Sequence, residues 1–168
     1  WKTWLIDNSQ LTIDNSKGNH QSPIINCQIP HNWDDYYGYR QLTHGNLHGT
    51  AMYVKDFSLD NCPLSTVNAQ LKKRYFLRFE GVGTYATIKV NGHDFGRYPV
   101  GRTTLTLDVT DALKQGTNRL EVKAEHPEMI ADMPWVCGGC SSEWGFSEGS
   151  QPLGIFRPVV LEATDEIR

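Results

Sequence analysis

The sequence lacks two features that would have fixed the class of protein at once. It contains no apolar run close to the roughly 20 residues that a membrane-spanning helix needs. It also has no basic stripe, since 16 lysines and arginines are outnumbered by 19 aspartates and glutamates. Because affinity for a phosphate backbone depends on clustered cations, a nucleic-acid partner has no electrostatic support. With 39% hydrophobic and 21% charged residues, the composition is that of a soluble globular protein.

Catalytic motifs are also missing. The six histidines are not accompanied by a Gly-x-Ser-x-Gly nucleophile elbow, and Gly81-x-Gly83 is better explained as a turn between strands than as a phosphate loop. Four loop carboxylates could supply a pair for glycoside hydrolysis, but their spacing singles out no two, and solvated positions explain them better. These are Asp34, Asp35, Glu143 and Glu148. The residues alone therefore single out no catalytic group.

Cysteine is scarce, and its four copies allow three interpretations. A structural zinc site needs four ligands: Cys137-Gly-Gly-Cys140 supplies one pair, and Cys27 with His31 is the only possible second pair. A redox dithiol is disfavoured, because its first cysteine normally begins a helix in an α/β fold. The preferred interpretation is a loop shaped by a local disulfide or by two buried thiols, with no metal and no cofactor. The pairing of Cys27, Cys62, Cys137 and Cys140 stays open.

The length of 168 residues suits one domain spanning residues 1–168, which would bury roughly 70% of the surface of its unfolded chain. The chain begins at Trp1 rather than Met, and no charged segment followed by an apolar segment precedes the domain. We therefore expect either a mature chain after signal removal or an excised piece of a longer protein.

Apolar residues recur at every second position, which is typical of half-buried antiparallel strands. In YFLRFEG, Tyr75, Leu77 and Phe79 point to one side, while Arg78 and Glu80 point to the other. The same alternation occurs in TYATIKVNG, TTLTLDVT and NRLEVKAEH. Further strands are expected near 50–59 and 155–163, with a weaker candidate near 22–30.

Turn signals separate these strands. Asn91-Gly92 is the strongest short hairpin signal, because a type I′ turn requires a positive φ at both central residues. Pro158 indicates an edge position or a bulge for the last strand. Seven or eight short strands with such signals between them predict an all-β sandwich.

Two long segments, 30–49 and 127–152, break the regular pattern and are rich in aromatic residues. Such segments inside a compact domain are uncommon and are usually functional or disordered. Flat rings stack on the C–H faces of sugars and planar polar groups bind hydroxyls, so the composition favours a carbohydrate ligand. The alternative is that the rings seal the ends of the sandwich. They include Trp33, Tyr36, Tyr37, Tyr39, Trp135 and Trp144.

Five motifs follow one another from about residue 22 to the C-terminus. They are IPHNWDD at 29–35, GTAMYVKDFSL at 49–59, YFLRFEGVGTYATIKVNGHDFGRY at 75–98, TTLTLDVTDALKQGTNRLEVKA at 103–124 and LGIFRPVVLEA at 153–163. Together they resemble the N-terminal sugar-binding domain of glycoside hydrolase family 2, the family of β-galactosidases, β-glucuronidases and β-mannosidases.

The resemblance implies a jelly-roll β-sandwich of the galactose-binding-domain type. It also implies that the two catalytic glutamates lie in a later (β/α)₈ barrel, beyond an immunoglobulin-like domain, and 168 residues leave no room for either. We therefore expect a non-catalytic accessory domain of a β-glycosidase, with loops that help to shape the sugar pocket of the barrel. An autonomous carbohydrate-binding module and a structural or oligomer-forming module are the alternatives. The expected location is the bacterial periplasm or the extracellular space.

The candidates for contacting a carbohydrate substrate lie in the loop just before Gly-Ile-Phe-Arg, which the resemblance implies can lean over the barrel. Glu143 would accept hydrogen bonds from sugar hydroxyls, and Trp144 would stack on a sugar ring. Trp135, at the other end of the Cys-Gly-Gly-Cys motif, is the third candidate.

The remaining matched residues have expected structural roles. His31 and Trp33 would pin the first crossing chain to the sandwich, and Asn91 with Gly92 would make the hairpin. Arg157 would form a partly buried pair with Glu80 that fixes strand ends.

Overall fold

The computed structural model describes residues 1–6, 23–33, 48–59, 73–101, 103–127, 129–130, 140–141 and 152–165. These ranges hold eleven β-strands, one 3-10 turn and no α-helix, so none of their segments is a helix that could cross a membrane. The strands are β1 (Lys2–Ile6), β2 (Ile25–Asn26), β3 (Gly49–Ser58), β4 (Lys73–Phe79), β5 (Tyr85–Val90), β6 (His93–Pro99), β7 (Leu105–Asp108), β8 (Thr117–His126), β9 (Met129–Ile130), β10 (Cys140–Ser141) and β11 (Val159–Asp165). The 3-10 turn is Thr110–Ala112.

The strands form two main antiparallel sheets. The larger sheet has the order β2-β1-β3-β8-β5-β6, and the smaller has the order β11-β4-β7. A separate two-stranded ladder joins β9 to β10. This architecture confirms the all-β sandwich predicted from the period-2 patterns.

One apolar cluster fills the space between the two main sheets. Tyr53, Ile88 and Val122 reach it from the larger sheet, and Leu77 and Phe79 reach it from the smaller. All five are 0–2% exposed, whereas their neighbours along each strand face outward. At roughly 1.5–3 kcal/mol for each fully buried large apolar side chain, this alternation is the main source of stability.

The strands at or next to the sheet edges follow the sequence patterns less closely than the central strands do. β1 carries no alternating apolar pattern because its inward residue Thr3 is polar, although it is fully buried and accepts a hydrogen bond from the Trp33 indole at 3.1 Å. The segment SPIINCQIP contributes only the two residues of β2. β11 is an edge strand, and Pro158 stands immediately before it, where no ladder donor is needed.

The turn end of the sandwich is the end that holds the Asn91-Gly92 hairpin. Asn91 and Gly92 have φ values of 51° and 84°, the left-handed values that a type I′ turn needs. The Asn91 side chain donates to Ala112 O at 2.8 Å and accepts from Arg119 N at 2.9 Å. It also donates to the Oδ1 atom of the fully buried Asn118 at 2.7 Å.

Asn118 extends this network to the backbone before β8. Its Oδ1 atom accepts from Lys114 N at 2.9 Å, and its Nδ2 atom donates to Lys114 O at 2.8 Å and Gly116 O at 3.0 Å. Two side-chain amides therefore hold the β5–β6 hairpin, the 3-10 turn region and the start of β8 together.

The predicted pair of Glu80 with Arg157 is wrong. Glu80 accepts from Arg78 at 2.7 Å, and Arg157 is exposed, with its guanidinium 6.0 Å from the centre of the Phe156 ring. Backbone atoms fix these strand ends instead: Glu80 N donates to Pro158 O at 3.1 Å, and Arg157 N donates to Gly81 O at 3.2 Å. The backbone link leaves both side chains free to turn outward.

Candidate functional site at the loop end of the sandwich

The loop end is the end of the sandwich where β3 begins and β8 ends. Gly49 lies opposite His126 in the β3–β8 ladder, and the rings of His48 and His126 have centroids 4.9 Å apart. On the other side of this end, Trp33 N donates to Leu153 O at 2.8 Å. The residue before segment 34–47 thus lies beside the chain that follows segment 128–151, and the residue after segment 34–47 lies beside the chain that precedes segment 128–151. Both aromatic-rich segments therefore leave and rejoin the sandwich at the loop end.

His31 and Tyr53 link the crossing chain to the core of the larger sheet. The His31 Nδ1 atom and the hydroxyl of the fully buried Tyr53 share a hydrogen bond of 2.8 Å. His31 N donates to Ile155 O at 2.7 Å, which adds the segment before β11 to the same junction. Burial lowers the pKa of the His31 imidazole, so the ring is neutral at pH 7.

Gly154 allows these chains to approach at backbone distance. Its φ is +142°, and a Cβ atom there would lie 2.7 Å from His31 O and 2.9 Å from the Asn32 Cα atom. Gly83 N donates to Gly154 O at 2.6 Å from the other side. Only glycine fits both the conformation and the space.

Aromatic rings fill the volume beneath this junction. Trp33 packs edge-to-face on His31, with ring centroids 5.6 Å apart, and Trp1 packs edge-on to Tyr53 at 6.5 Å. The Trp33 indole also donates to Thr3, as noted above. Such ring pairs add about 0.5–1.5 kcal/mol each beyond the area that they bury. In the described part of this end, Trp33 therefore has the sealing role that the sequence left open as an alternative.

The three predicted substrate residues, Glu143, Trp144 and Trp135, lie outside the described residues, so their roles stay predictions. The ladder of β9 and β10 pairs Cys140 with Ile130 and Ser141 with Met129. The connection between these strands holds Trp135 and the first cysteine of Cys-Gly-Gly-Cys. The segment predicted as one long irregular loop thus contains a short antiparallel ladder.

Among the cysteines, the side chain of Cys27 is described, and it bears on the metal and redox interpretations. Cys27 is a half-buried free thiol whose pKa is raised by burial, so it is protonated at pH 7 and a poor nucleophile. No group of three or more possible metal ligands occurs among the described residues. Cys62 and Cys137 lie outside them, so the disulfide pairing and the absence of zinc stay predictions.

Sequence reasoning missed Tyr53, Gly154 and His126 as parts of this end. For His126 the signal was present: one more period-2 step beyond Leu120, Val122 and Ala124 reaches this fully buried position. No local signal could have paired Tyr53 with His31 or placed Gly154 against the chain at residues 31–32. These contacts join the crossing chain and the segment before β11 to Tyr53 of β3.

Comparison with known proteins agrees with this architecture. Residues 28–133 match the family model described as glycosyl hydrolase 2 galactose-binding domain-like. A beta-glucuronidase of Bacteroides fragilis is 35% identical over 95 residues, which cover 56% of this chain and 12% of that protein. A beta-galactosidase of Actinobacillus pleuropneumoniae is 29% identical over 138 residues, which cover 79% of this chain and 12% of that protein.

Solved structures share the fold. The crystal structure of Bacteroides uniformis beta-glucuronidase superimposes with a TM-score of 0.65 at 23% identity, and the match covers 96% of this chain and 17% of that chain. The aligned part of this chain spans about an eighth of the length of the two curated relatives. Because the family model matches more than half of the sequence, the chain belongs to the glycosyl hydrolase 2 galactose-binding domain-like family.

Proposed function

We propose that this chain is the non-catalytic accessory domain of a family 2 β-glycosidase, and that its loops help to shape the substrate pocket of a separate (β/α)₈ catalytic domain. One observation carries the proposal: both aromatic-rich segments start and finish at one end of the sandwich, on a base fixed by His31, Tyr53 and Gly154. A rigid base is what a loop needs if it is to hold a sugar-contacting side chain in place.

The relatives support the reaction class. They are named beta-glucuronidase and beta-galactosidase, and the region that matches this chain is about an eighth of each. The parent protein would accordingly hydrolyse an O-glycosyl bond, with its catalytic carboxylates in the barrel and an immunoglobulin-like domain between barrel and sandwich. Its location would be the periplasm or the extracellular space, where polymeric or conjugated sugars are met.

Within this proposal, the loop residues bind rather than react. Glu143 accepts hydrogen bonds from sugar hydroxyls, while Trp144 and Trp135 provide flat faces for ring stacking. A charged acceptor of this kind contributes about 1.5–3 kcal/mol when it is desolvated by the bound sugar. Losing one such contact would lower kcat/KM about 10- to 150-fold.

The first experiment separates the domain from its parent. The 168-residue chain and the full-length protein are assayed on aryl β-glucuronides and aryl β-galactosides. We expect hydrolysis by the full-length protein and none by the 168-residue chain. Hydrolysis by the shorter chain would refute the accessory role.

The second experiment tests the loop in the full-length enzyme. Glu143→Ala and Trp144→Ala are each expected to lower kcat/KM at least 10-fold. The matched control is Glu162→Ala in the middle of β11 on the outward face of the smaller sheet, where Glu162 pairs with Arg78 at 2.8 Å. Because Glu162 is on the surface, this control should keep its activity. If all three variants match the wild type, a structural or oligomer-forming role is left.

A further inference from the structure

A shallow groove crosses the outward face of the larger sheet, away from both the core and the loop end. Its volume is about 220 Å³. The six residues that line it come from four adjacent strands, β3, β8, β5 and β6. They are Met52, Thr87, Lys89, Asp94, Glu121 and Lys123.

The strand register explains why these residues meet. Met52 lies opposite Lys123, which lies opposite Thr87, so these three make one row across the sheet. The neighbouring row is Glu121, Lys89 and Asp94. Both rows point outward, because the positions between them along β3, β8 and β5 belong to the core.

The charges that line the groove cancel one another. Two ammonium groups face two carboxylates, and Lys89 Nζ lies 3.4 Å from Asp94 Oδ2. Asp94 Oδ1 accepts from Gly96 N at 2.8 Å, and this bond is the main cause that lowers the Asp94 pKa. Asp94 is therefore ionised at neutral pH and bonded to the backbone of its own strand.

The other two charged residues are held from outside the groove. Glu121 Oε1 accepts from Arg119 Nε at 2.8 Å, and Lys123 Nζ lies 3.3 Å from Glu125 Oε1. Each contact restricts a side chain without using all of its bonding capacity, since an ammonium has three donors and a carboxylate has about four acceptor sites. The groove thus presents partly bonded donors and acceptors with no net charge.

This combination has a matching ligand chemistry. A hydroxyl both donates and accepts, so two adjacent hydroxyls can accept from an ammonium and donate to a carboxylate at once. The Met52 side chain and the Thr87 methyl group offer apolar surface to C–H groups between the hydroxyls. A charged ligand would gain little, because each cation in the groove already has an anion beside it.

We propose that this groove is a binding site for a neutral oligosaccharide that lies across the strands of the larger sheet. The site is separate from the loop end, and it does not depend on the accessory role proposed above. The volume is below the roughly 300 Å³ of pockets that enclose drug-sized ligands, so we expect weak binding, with a Kd on the order of 1 mM.

The test is a titration of the ¹⁵N-labelled 168-residue chain followed by amide chemical shifts. The probes are cellotetraose and its counterpart with every C6 carbon oxidised to a carboxylate. Cellotetraose is expected to shift the amides of Thr87, Lys89 and Lys123, with the acidic probe at least five-fold weaker. Shifts confined to His31, His48 and His126 would overturn the proposal, because the sugar would then occupy the loop end. Tighter binding of the acidic probe, or no shifts at all, would overturn it as well.

A matched pair of variants locates the site. Thr87→Tyr fills the groove, whereas Thr106→Tyr places the same ring on an outward-facing position of the smaller sheet. We expect at least ten-fold weaker binding for T87Y and unchanged binding for T106Y. Wild-type binding by T87Y refutes the site.

A second variant keeps the test valid if T87Y fails to fold. Lys123→Met keeps an unbranched side chain and removes the ammonium, which is on the surface and is not needed by the core. Binding of cellotetraose should weaken about five-fold, and an unchanged Kd would contradict the assigned role of Lys123.

Discussion

The two ends of this sandwich are closed by different kinds of contact. At the turn end, the amide side chains of Asn91 and Asn118 bind backbone groups of neighbouring turns, and the two residues are 27 positions apart. At the loop end, the half-buried rings of His31 and Trp33 pack on each other, and backbone hydrogen bonds join the chain near residue 31 to the chain near residue 155. The turn-end contacts thus span fewer than 30 positions of sequence, whereas the loop end also joins segments about 120 positions apart.

The two ends of the sandwich therefore differ in structure: one is closed, and the other supports two long segments. The turn end has its polar groups bonded internally, so it has a closed structure. The loop end provides a stiff base from which the two long segments depart. The stiffness comes from three features that resist change: a buried hydroxyl bonded to His31, a glycine without space for a side chain, and rings packed edge-to-face. We therefore expect substitutions at the loop end to lower the free energy of unfolding more than substitutions at the turn end.

The largest effect is expected for Gly154→Ala at the loop end. The added Cβ would lie 2.7 Å from His31 O, and the φ of +142° disfavours any side chain. We expect a loss of about 3 kcal/mol in the free energy of unfolding, measured by urea denaturation. The matched control at the turn end is Gly92→Ala, with a φ of +84° and no atom within 4 Å of the added Cβ. It should cost about 1 kcal/mol, and equal losses would contradict the comparison.

A second large effect is expected for Asn118→Ala at the turn end. The change removes four hydrogen bonds at a fully buried position. Because Lys114 is exposed and water can replace part of this bonding, we expect a loss of about 2 kcal/mol in a urea titration. Asn118→Asp keeps the two accepted bonds but places a carboxylate oxygen opposite the Lys114 and Gly116 carbonyls at a fully buried position, so it should lose at least as much. If Asn118→Ala lost more free energy of unfolding than Gly154→Ala, the turn end rather than the loop end would be the more sensitive to substitution.

A smaller effect is expected for Tyr53→Phe. The ring stays in the core, and only the hydroxyl that bonds to His31 Nδ1 is removed. The expected loss is about 1 kcal/mol, with a further penalty if the imidazole is left without a replacement partner. A double-mutant cycle with His31→Ala measures the coupling, and a coupling energy near zero would mean that this bond does not stabilise the junction.

The smallest effect concerns pH. Burial holds the pKa of His31 below its ordinary value of 6.5, so the folded state binds fewer protons there than the unfolded state. The stabilisation is complete above pH 6.5 and is lost as the pH falls from 6.5 through the folded-state pKa. Unfolding midpoints at pH 7.5 and 5.5 should therefore differ more for the wild type than for His31→Gln. An identical pH dependence in the two proteins would show that His31 does not contribute.

The fold could largely be predicted from the sequence, because most strands have a period-2 apolar pattern and the main hairpin has an Asn-Gly turn signal. The alternation around Leu77 and Phe79 places the core face of β4, and Asn91-Gly92 gives the hairpin between β5 and β6. β1 could not be predicted, since its buried residue is the polar Thr3, whose partner Trp33 is 30 positions away. The Glu80–Arg157 pair failed for a related reason: Arg78 lies two positions from Glu80 on the same outward face and is the nearer partner.

The candidate site was less predictable. His31 and Trp33 stand out as residue types, but which atoms they bind depends on Tyr53 and on residues 153–155, which only the fold brings near. The neutral groove was not predicted, because it arises from the register of four strands rather than from any one motif. The roles of Glu143, Trp144 and Trp135 stay predictions that the kinetic experiments test.

The pairing of β4 with β11 has a consequence for the timing of synthesis. Phe79 ends β4, and the strand that covers its edge is complete only at Asp165. At about 5–20 residues per second, the ribosome takes roughly 4–17 s to make the chain between them. During that interval one backbone edge of β4 is unpaired, so it presents an open strand edge with which another chain could pair.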